Sequence, residues 1–522
     1  MAKAEHTSKT DTQPDTYEWE RDGQNASLWN KHLILKNGGT ALSETGVYDV
    51  IVVGAGITGL TTALLLQQAG NQCVLVDAHH AGFGTTGGTT AHINTFVDTT
   101  YAEVEQAFGT DAAPLFAESI RDAVELIRQF VDTYQIDCDL EWRQGYVYAE
   151  TEEEVKQLDD LYESALRAGV GVAPADHVPT PVPYLKAVVF DGQAQFHPLK
   201  YIRGLLNEFR KSGGTVVENA CIREVETAEG HYTAISEHHR IHAKRVVYAT
   251  HIPPGGINVL HFRNAPYRSY VIAATLADDA YPDALVYDSQ DPYHYFRTHT
   301  IDGQRYLVAG GHDHKTGHDD PERAFADLIA YTSKYYNVEQ VAYRWSAQYY
   351  VPADGLPYIG HLPGASEGIY AATGYNGNGM ILGTAAALVI SDLITTGDSK
   401  YKALFDPARV KPVAGFAEVV KENMDVVKRF IGDRFGIAQI DSLADVSADD
   451  GRIIELDGEK LAVYRDPAGE VHVLDPVCTH AKCIVQWNSA EKSWDCPCHG
   501  ARYDCFGHVL TGPARADLDQ ML

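Results

Sequence analysis

The chain has 522 residues, 45% hydrophobic and 22% charged, which is long enough for two or three domains with substantial cores. A net charge of −29 and a pI near 5.1 make nucleic acid and anionic membrane poor partners and suit a basic protein partner instead. Eight cysteines, five of them after residue 477, are no secreted disulfide framework, and the polar tail 1–25 lacks the apolar core of a secretion signal, so the cytoplasm is the expected compartment.

In chain order, Ser27-Leu28-Trp29 is expected to anchor the end of the tail onto the domain that follows. Tyr48–Val53 reads as a buried strand entering Gly54-Ala55-Gly56-Ile57-Thr58-Gly59, followed by an apolar helix and a second strand, Val74–Asp77. The apolar run Val50 to Leu66 is broken by glycines and threonines and belongs to this strand and helix, so no membrane insertion is expected. Strand before, helix after and an acid eighteen residues beyond Gly59 give the βαβ context in which a helix N-terminus holds a pyrophosphate and Asp77 a ribose hydroxyl. The other reading is an ordinary Gly-rich turn. The motif alone does not separate FAD from NAD.

Next comes a Thr/Gly loop, Gly82 to His92, then helical periodicity over Ala113–Tyr134 and Glu152–Ala168. Further on stand Asn219-Ala220-Cys221-Ile222, Val246–His251, a sheet-like stretch from Val271 to Gly311, Asp354–Gly360, and Ala372–Met380 ahead of an alanine-rich helix. With these motifs residues 46–400 resemble the FAD-dependent oxidoreductases of the D-amino-acid oxidase and glycine oxidase (DAO) superfamily. The resemblance implies an α/β FAD-binding Rossmann-like domain of the DAO/glutathione-reductase type within residues 26–400. Its FAD-binding segments would be about 46–100, 186–261 and 346–400, with an α+β substrate domain at about 101–185 and 262–345. It implies FAD contacts from Gly54, Gly56, Thr58, Gly59, Asp77, Thr85, Thr86, Ile222, Ala249, Thr250, Gly374, Asn376, Gly377, Gly379 and Met380. Noncovalent FAD is favoured, because Gly88 stands where some relatives attach flavin through histidine, and no cysteine lies between 221 and 478. A connector, 401–435, contains an amphipathic helix over Glu418–Arg434.

The most specific motif is Cys478-Thr479-His480 followed by Cys496-Pro497-Cys498-His499. Each loop supplies one Cys and one His, a spacing that suits two irons, one held by thiolates and one by imidazoles. A zinc site is the alternative, although zinc pairs are usually C-x-x-C or H-x₃₋₅-H. Together with CTHAKC, WDCPCHGARYD and GHVLTGPA, the segment 436–522 resembles a small all-β Rieske [2Fe–2S] domain. The resemblance implies Cys478, His480, Cys496 and His499 as ligands, and a disulfide between Cys483 and Cys498, two free thiols being the other possibility. Ala501 stands where high-potential relatives carry a serine donor to the cluster, whereas Tyr503 keeps the usual tyrosine. A lost donor lowers the potential, because hydrogen bonds to sulfur favour the more negative reduced state.

The combination implies an oxidoreductase that oxidises an amine or amino-acid C–N bond at FAD and passes electrons through the cluster to an external acceptor. The flow could also be reversed, feeding a flavin monooxygenase from an external donor, or the chain could be a redox-responsive electron-transfer protein. Arg297, with Tyr293, Tyr295 and Phe296, is the expected carboxylate clamp, since guanidinium offers two parallel donors. Tyr146 and Tyr148 are expected to line the same pocket. His312 to Asp320 carries enough ligands for a metal, but reads better as a polar loop near the active site.

Overall fold

In a computed structural model, residues 20–33, 35, 46–228, 230–410, 446–456 and 458–521 are described. The connector helix expected over residues 418–434 lies outside them. The first core is a mostly parallel sheet. Val47–Val53 lies between Cys73–Val76 and Arg240–Tyr248, all parallel; Thr215–Val217 extends one side and Ile369–Thr373 the other. Val50–Val53 and Cys73–Val76 are buried throughout, the continuous apolar pattern of strands covered on both faces. The crossover helix Ile57–Gln68 packs on Gly379–Thr395. That crossing is close, since a Cβ at Gly383 would fall 2.5 Å from Thr58 Oγ1; the helix also sits tightly on the strand end, where a Cβ at Gly59 would fall 1.8 Å from the Gly54 carbonyl oxygen.

The second layer is a nine-stranded sheet, in order Val338–Pro352, Asn264–Leu276, Gln304–Lys315, His294–Ile301, Leu285–Asp288, Glu141–Ala149, Lys186–Gln195 and His92–Ile93, with Val172–Pro174 beside Lys186–Gln195. The sheet expected over residues 271–311 is its centre, and the expected helices are Ala112–Tyr134 and Glu152–Arg167. Lys186–Gln195, assigned from the sequence to an FAD-binding segment, pairs in this second sheet, and Val338–Pro352 continues past residue 346 without a break. Long antiparallel partners, rather than a change in local pattern, set both limits. His312–Lys315 likewise ends the strand Gln304–Lys315 instead of forming a loop.

The C-terminal unit has a three-stranded sheet, Asp450–Leu456, Glu459–Arg465 and Val471–Leu474, and a four-stranded one, Gln486–Asn488, Ser493–Asp495, Arg502–Asp504 and Val509–Thr511. Two tight loops leave it, closed by Cys478 N–H to Cys483 O (2.8 Å) and Cys496 N–H to Ala501 O (2.8 Å).

Residues 20–25, the end of the polar tail, are built into the fold. Arg21 and Asp22 are buried between the flavin-side sheet and the C-terminal unit, and the Asn25 side chain donates to Ala490 O (2.7 Å). Trp29 is fully buried as the anchor, its indole N–H donating to Thr89 O (2.6 Å).

Candidate functional site: one cavity and two facing loops

A cavity of about 760 Å³ runs from the glycine turn to a wall of tyrosines. Gly54, Gly56, Thr58, Asp77, Thr85, Thr86, Ile222, Ala249, Thr250, Asn376, Gly377, Gly379 and Met380 line it. Gly59 and Gly374 do not. Gly59 serves the helix–strand contact, and Gly374 (φ +77°) packs against Asn264, whose Oδ1 would lie 2.6 Å from an added Cβ. Both long helices that open on the cavity, Ile57–Gln68 and Gly379–Thr395, lack a side-chain N-cap. The Ile57 N–H donates to Thr86 Oγ1 (3.1 Å), and the other first-turn N–H groups of both helices could receive anionic groups of a dinucleotide. Asp77 is fixed by N–H donation from Ala55 (2.7 Å) and His79 (2.8 Å). This donor set fits FAD. Val509–Gly512, Ala514 and Arg515 of the C-terminal unit, and Arg21 of the strap, close the same cavity. Neither the strap nor the C-terminal wall was expected from the sequence, which carries no local signal for either.

At the other end stand Tyr287, Tyr293, Tyr295 and Tyr349, with Asp98 below them accepting from the Gly377 N–H (2.7 Å). Tyr295 is thus where the sequence placed it. Arg297 is not. Its guanidinium is fully buried behind the Thr/Gly loop, donating to the carbonyls of Thr90 (2.7 Å), Ala91 (2.9 Å) and Phe196 (3.5 Å) and to His299 Nδ1 (2.7 Å). Burial lowers its pKa to about 9. It holds backbone and does not line the cavity. Tyr146 points away too, its hydroxyl donating to Gln144 (2.7 Å), and Tyr148 is packed in the core. Asp313, part of the run His312 to Asp320 expected near the active site, accepts from Tyr349 (2.9 Å) and Tyr293 (3.2 Å), and burial pushes its pKa up to about 7.

In the C-terminal loops, Cys483 and Cys498 are disulfide-bonded, which ties the loops together, while Cys478 and Cys496 are free and buried. All four ring nitrogens of His480 and His499 lack a hydrogen-bond partner in the protein. Buried imidazoles without partners are what a metal cluster completes. Among the described residues, no three of Cys478, His480, Cys496 and His499 bring ligand atoms within 4.8 Å of one another. One tetrahedral zinc needs such convergence, whereas two irons, each with its own pair, do not. The Tyr503 hydroxyl lies 3.3 Å from Cys478 Sγ and fixes the Thr479 N–H (3.2 Å).

These loops face the flavin side. His261 packs its ring at 4.7 Å from His480 and 5.8 Å from His499, and the Tyr350 hydroxyl donates to the His499 carbonyl (2.9 Å). Tyr350 in turn meets His251 edge-on at 4.6 Å, and His251 lines the cavity. Burial, with help from Arg21, lowers the His251 pKa to about 3, so its ring is neutral.

A buried charge network fixes the contact. Asp22 lies among Arg21 (2.8 Å), Arg502 (3.2 Å) and Arg268 (3.3 Å), and Arg502 also holds Asp495 (2.8 Å). Burial opposes ionisation of Asp22, but the three guanidiniums outweigh it and hold the carboxyl well below the usual range. Glu491, inserted from the C-terminal unit, receives the Ser346 hydroxyl and N–H (3.2 Å); burial pushes it up to about 6.

A dinucleotide cavity facing a Cys₂His₂ loop pair defines a flavoprotein fused to an iron–sulfur electron carrier. The comparisons agree. Residues 49–393 match the FAD dependent oxidoreductase (DAO) family and residues 437–521 the Rieske [2Fe-2S] domain. The chain belongs to the DAO family of FAD-dependent oxidoreductases and carries a C-terminal Rieske domain; its cofactors are FAD and a [2Fe–2S] cluster. YhfW of Bacillus subtilis (strain 168), named as a Rieske 2Fe-2S iron-sulfur protein, is 31% identical over 92% of this chain and 94% of its own. Gamma-glutamylputrescine oxidoreductase of Escherichia coli (strain K12) is 25% identical over 69% of this chain and 87% of its own. Glycine oxidase of Geobacillus kaustophilus superposes with a TM-score of 0.58 at 18% identity, over 70% of this chain and all of its own, a likeness of fold.

Proposed function

We propose that this oxidoreductase oxidises the C–N bond of an amine or amino acid and delivers the electrons, through the Rieske centre, to an external acceptor protein. FAD supplies hydride acceptance and the cluster one-electron transfer. The observation that carries this reading is the short contact between the two sites: the rings of His251 and Tyr350 lead from the cavity to the His499 carbonyl, and Gln348, which also lines the cavity, donates to the Gly500 carbonyl (3.0 Å). The chain's own groups prepare both ends. Tyrosines wall the substrate end, Asp313 can hold a proton near neutral pH, and His251 stays neutral beside Arg21. The names of two similar proteins, a gamma-glutamylputrescine oxidoreductase and a glycine oxidase, point to the same bond. With a net charge of −29, a basic carrier in the cytoplasm is the fitting acceptor. Among the described residues no helix is long and apolar enough to cross a membrane.

The test is anaerobic mixing of the purified protein with a panel of amines and amino acids, following flavin bleaching and the cluster's EPR signal together. Bleaching by one compound, followed by the EPR signal, is the expected result. A bleached flavin with a silent cluster would refute the internal transfer, and no bleaching by any compound would refute the C–N reaction.

A further inference from the structure

Among the described residues no lysine or arginine lines the tyrosine end of the cavity; Arg297, behind the Thr/Gly loop, is the fixed cation whose charge reaches Tyr287 and His92. Asp98 faces the cavity beside Tyr293, since a Cβ added at Gly377 would fall 2.9 Å from Asp98 Oδ2 and 3.7 Å from the Tyr293 hydroxyl; burial raises the Asp98 pKa, while hydrogen bonds from Gly377 and Asn378 favour its charge. The tyrosines are arranged as a wall: Tyr293 and Tyr295 stack at 5.7 Å, and Tyr287 and Tyr295 lie at 6.4 Å. Asp313 sits behind this wall with Oδ2 accepting from Tyr293 and Tyr349 and Oδ1 buried without a partner. Phenols that donate to a carboxylate hold more electron density, which strengthens the attraction of their faces for a cation. The nearby Arg297 gives its donors to backbone carbonyls and His299, outside the cavity. Among the described residues the arginines that line the cavity are Arg21, Arg223 and Arg515. Arg21 is engaged by Asp22 and His251, and Arg515 donates to Pro254 O on the dinucleotide side.

We infer that this end is a cation box, and that the substrate is an alkylammonium compound without a carboxylate beside its nitrogen. The inference rests on the amine-oxidising reading above and narrows it. A carboxylate placed here would lose its water opposite two acids, with no donor pair to replace it. An ammonium or N-methylated nitrogen gains the Asp98 charge and the aromatic faces.

The test uses the FAD-loaded, oxidised protein and reads the flavin absorption spectrum during titration with tetramethylammonium chloride and, separately, sodium acetate at fixed ionic strength. Saturable perturbation by tetramethylammonium, absent with acetate and weakened about tenfold or more by Asp98→Asn, is the expected result. Asp313→Asn serves as second variant should Asp98→Asn fail to retain FAD, with weakening in the same direction. Perturbation by acetate alone, by neither probe, or by tetramethylammonium equally in wild type and both variants overturns the box. The two readings fail separately. Flavin bleaching by amino acids without tetramethylammonium binding removes the box and keeps the oxidase chemistry, whereas binding without bleaching by any amine does the reverse.

Discussion

Asp22→Asn tests how the two redox units are held together. The wild-type carboxylate receives Arg21, Arg268, Arg502 and the Gln348 N–H (3.3 Å), all buried. Asparagine keeps the shape but leaves three guanidiniums facing Asp495 and a Glu491 whose pKa of about 6 makes it a weak counter-charge. Removing one partner of a buried ion network costs about 3–5 kcal/mol, because the stranded charges stay desolvated. The assay is thermal and denaturant unfolding followed by flavin fluorescence and by cluster circular dichroism. Wild type should lose both signals together, and Asp22→Asn should lose the cluster-side signal first. The difference depends on pH with a definite sign. The folded pKa of Asp22 is depressed, so its contribution is fully present above its unfolded value of about 3.9 and is lost as pH falls through the folded value. Glu491 acts oppositely: its folded pKa is raised, so its contribution is present below its unfolded value and is lost as pH rises to about 6. A cost below about 1 kcal/mol at pH 7, with both signals still lost together, would refute this account of the interface.

Tyr503→Phe removes a hydroxyl 3.3 Å from Cys478 Sγ; a hydrogen bond worth about 0.5–1.5 kcal/mol corresponds to a cluster potential lower by about 20–60 mV, read by redox titration. Arg297→Lys should destabilise the Thr/Gly loop by about 2–3 kcal/mol and speed FAD loss, because lysine cannot reproduce its fork of bonds. The relative KM of substrates with and without a carboxylate should not change; a selective rise for carboxylates would restore the clamp. Because burial raises the Asp313 pKa to about 7, cation binding should strengthen as pH rises through that value, and Asp313→Asn should abolish the step.

The parts of this molecule that a sequence reveals are those whose partners are near in the chain. The βαβ turn and the two ligand loops each lie within short segments with fixed spacing, and the structure builds them from those residues. Arg297 was misread for the converse reason. Its strand, flanked by aromatic residues, is the right place for a clamp, but its partners Thr90, Ala91 and Phe196 arrive from segments 101 to 207 residues away and take its donors. The same holds for the strap at residues 20–25. Nothing in a polar run shows that Asp22 will meet Arg268 and Arg502, 246 and 480 residues on. Asp98 stands out only once Tyr287, Tyr293, Tyr295 and Tyr349, from three parts of the second sheet, line the cavity with it.

In the proposed mechanism, flavin and cluster exchange electrons inside one chain across His251 and Tyr350. The most direct measurement is rapid photoreduction of the flavin without oxygen, with cluster reduction timed by freeze-quench EPR over a tenfold range of protein concentration. The account predicts that the cluster is reduced after the flavin at a rate independent of concentration, and more slowly in Tyr350→Leu. A cluster that stays oxidised, or a rate that scales with concentration, would contradict it.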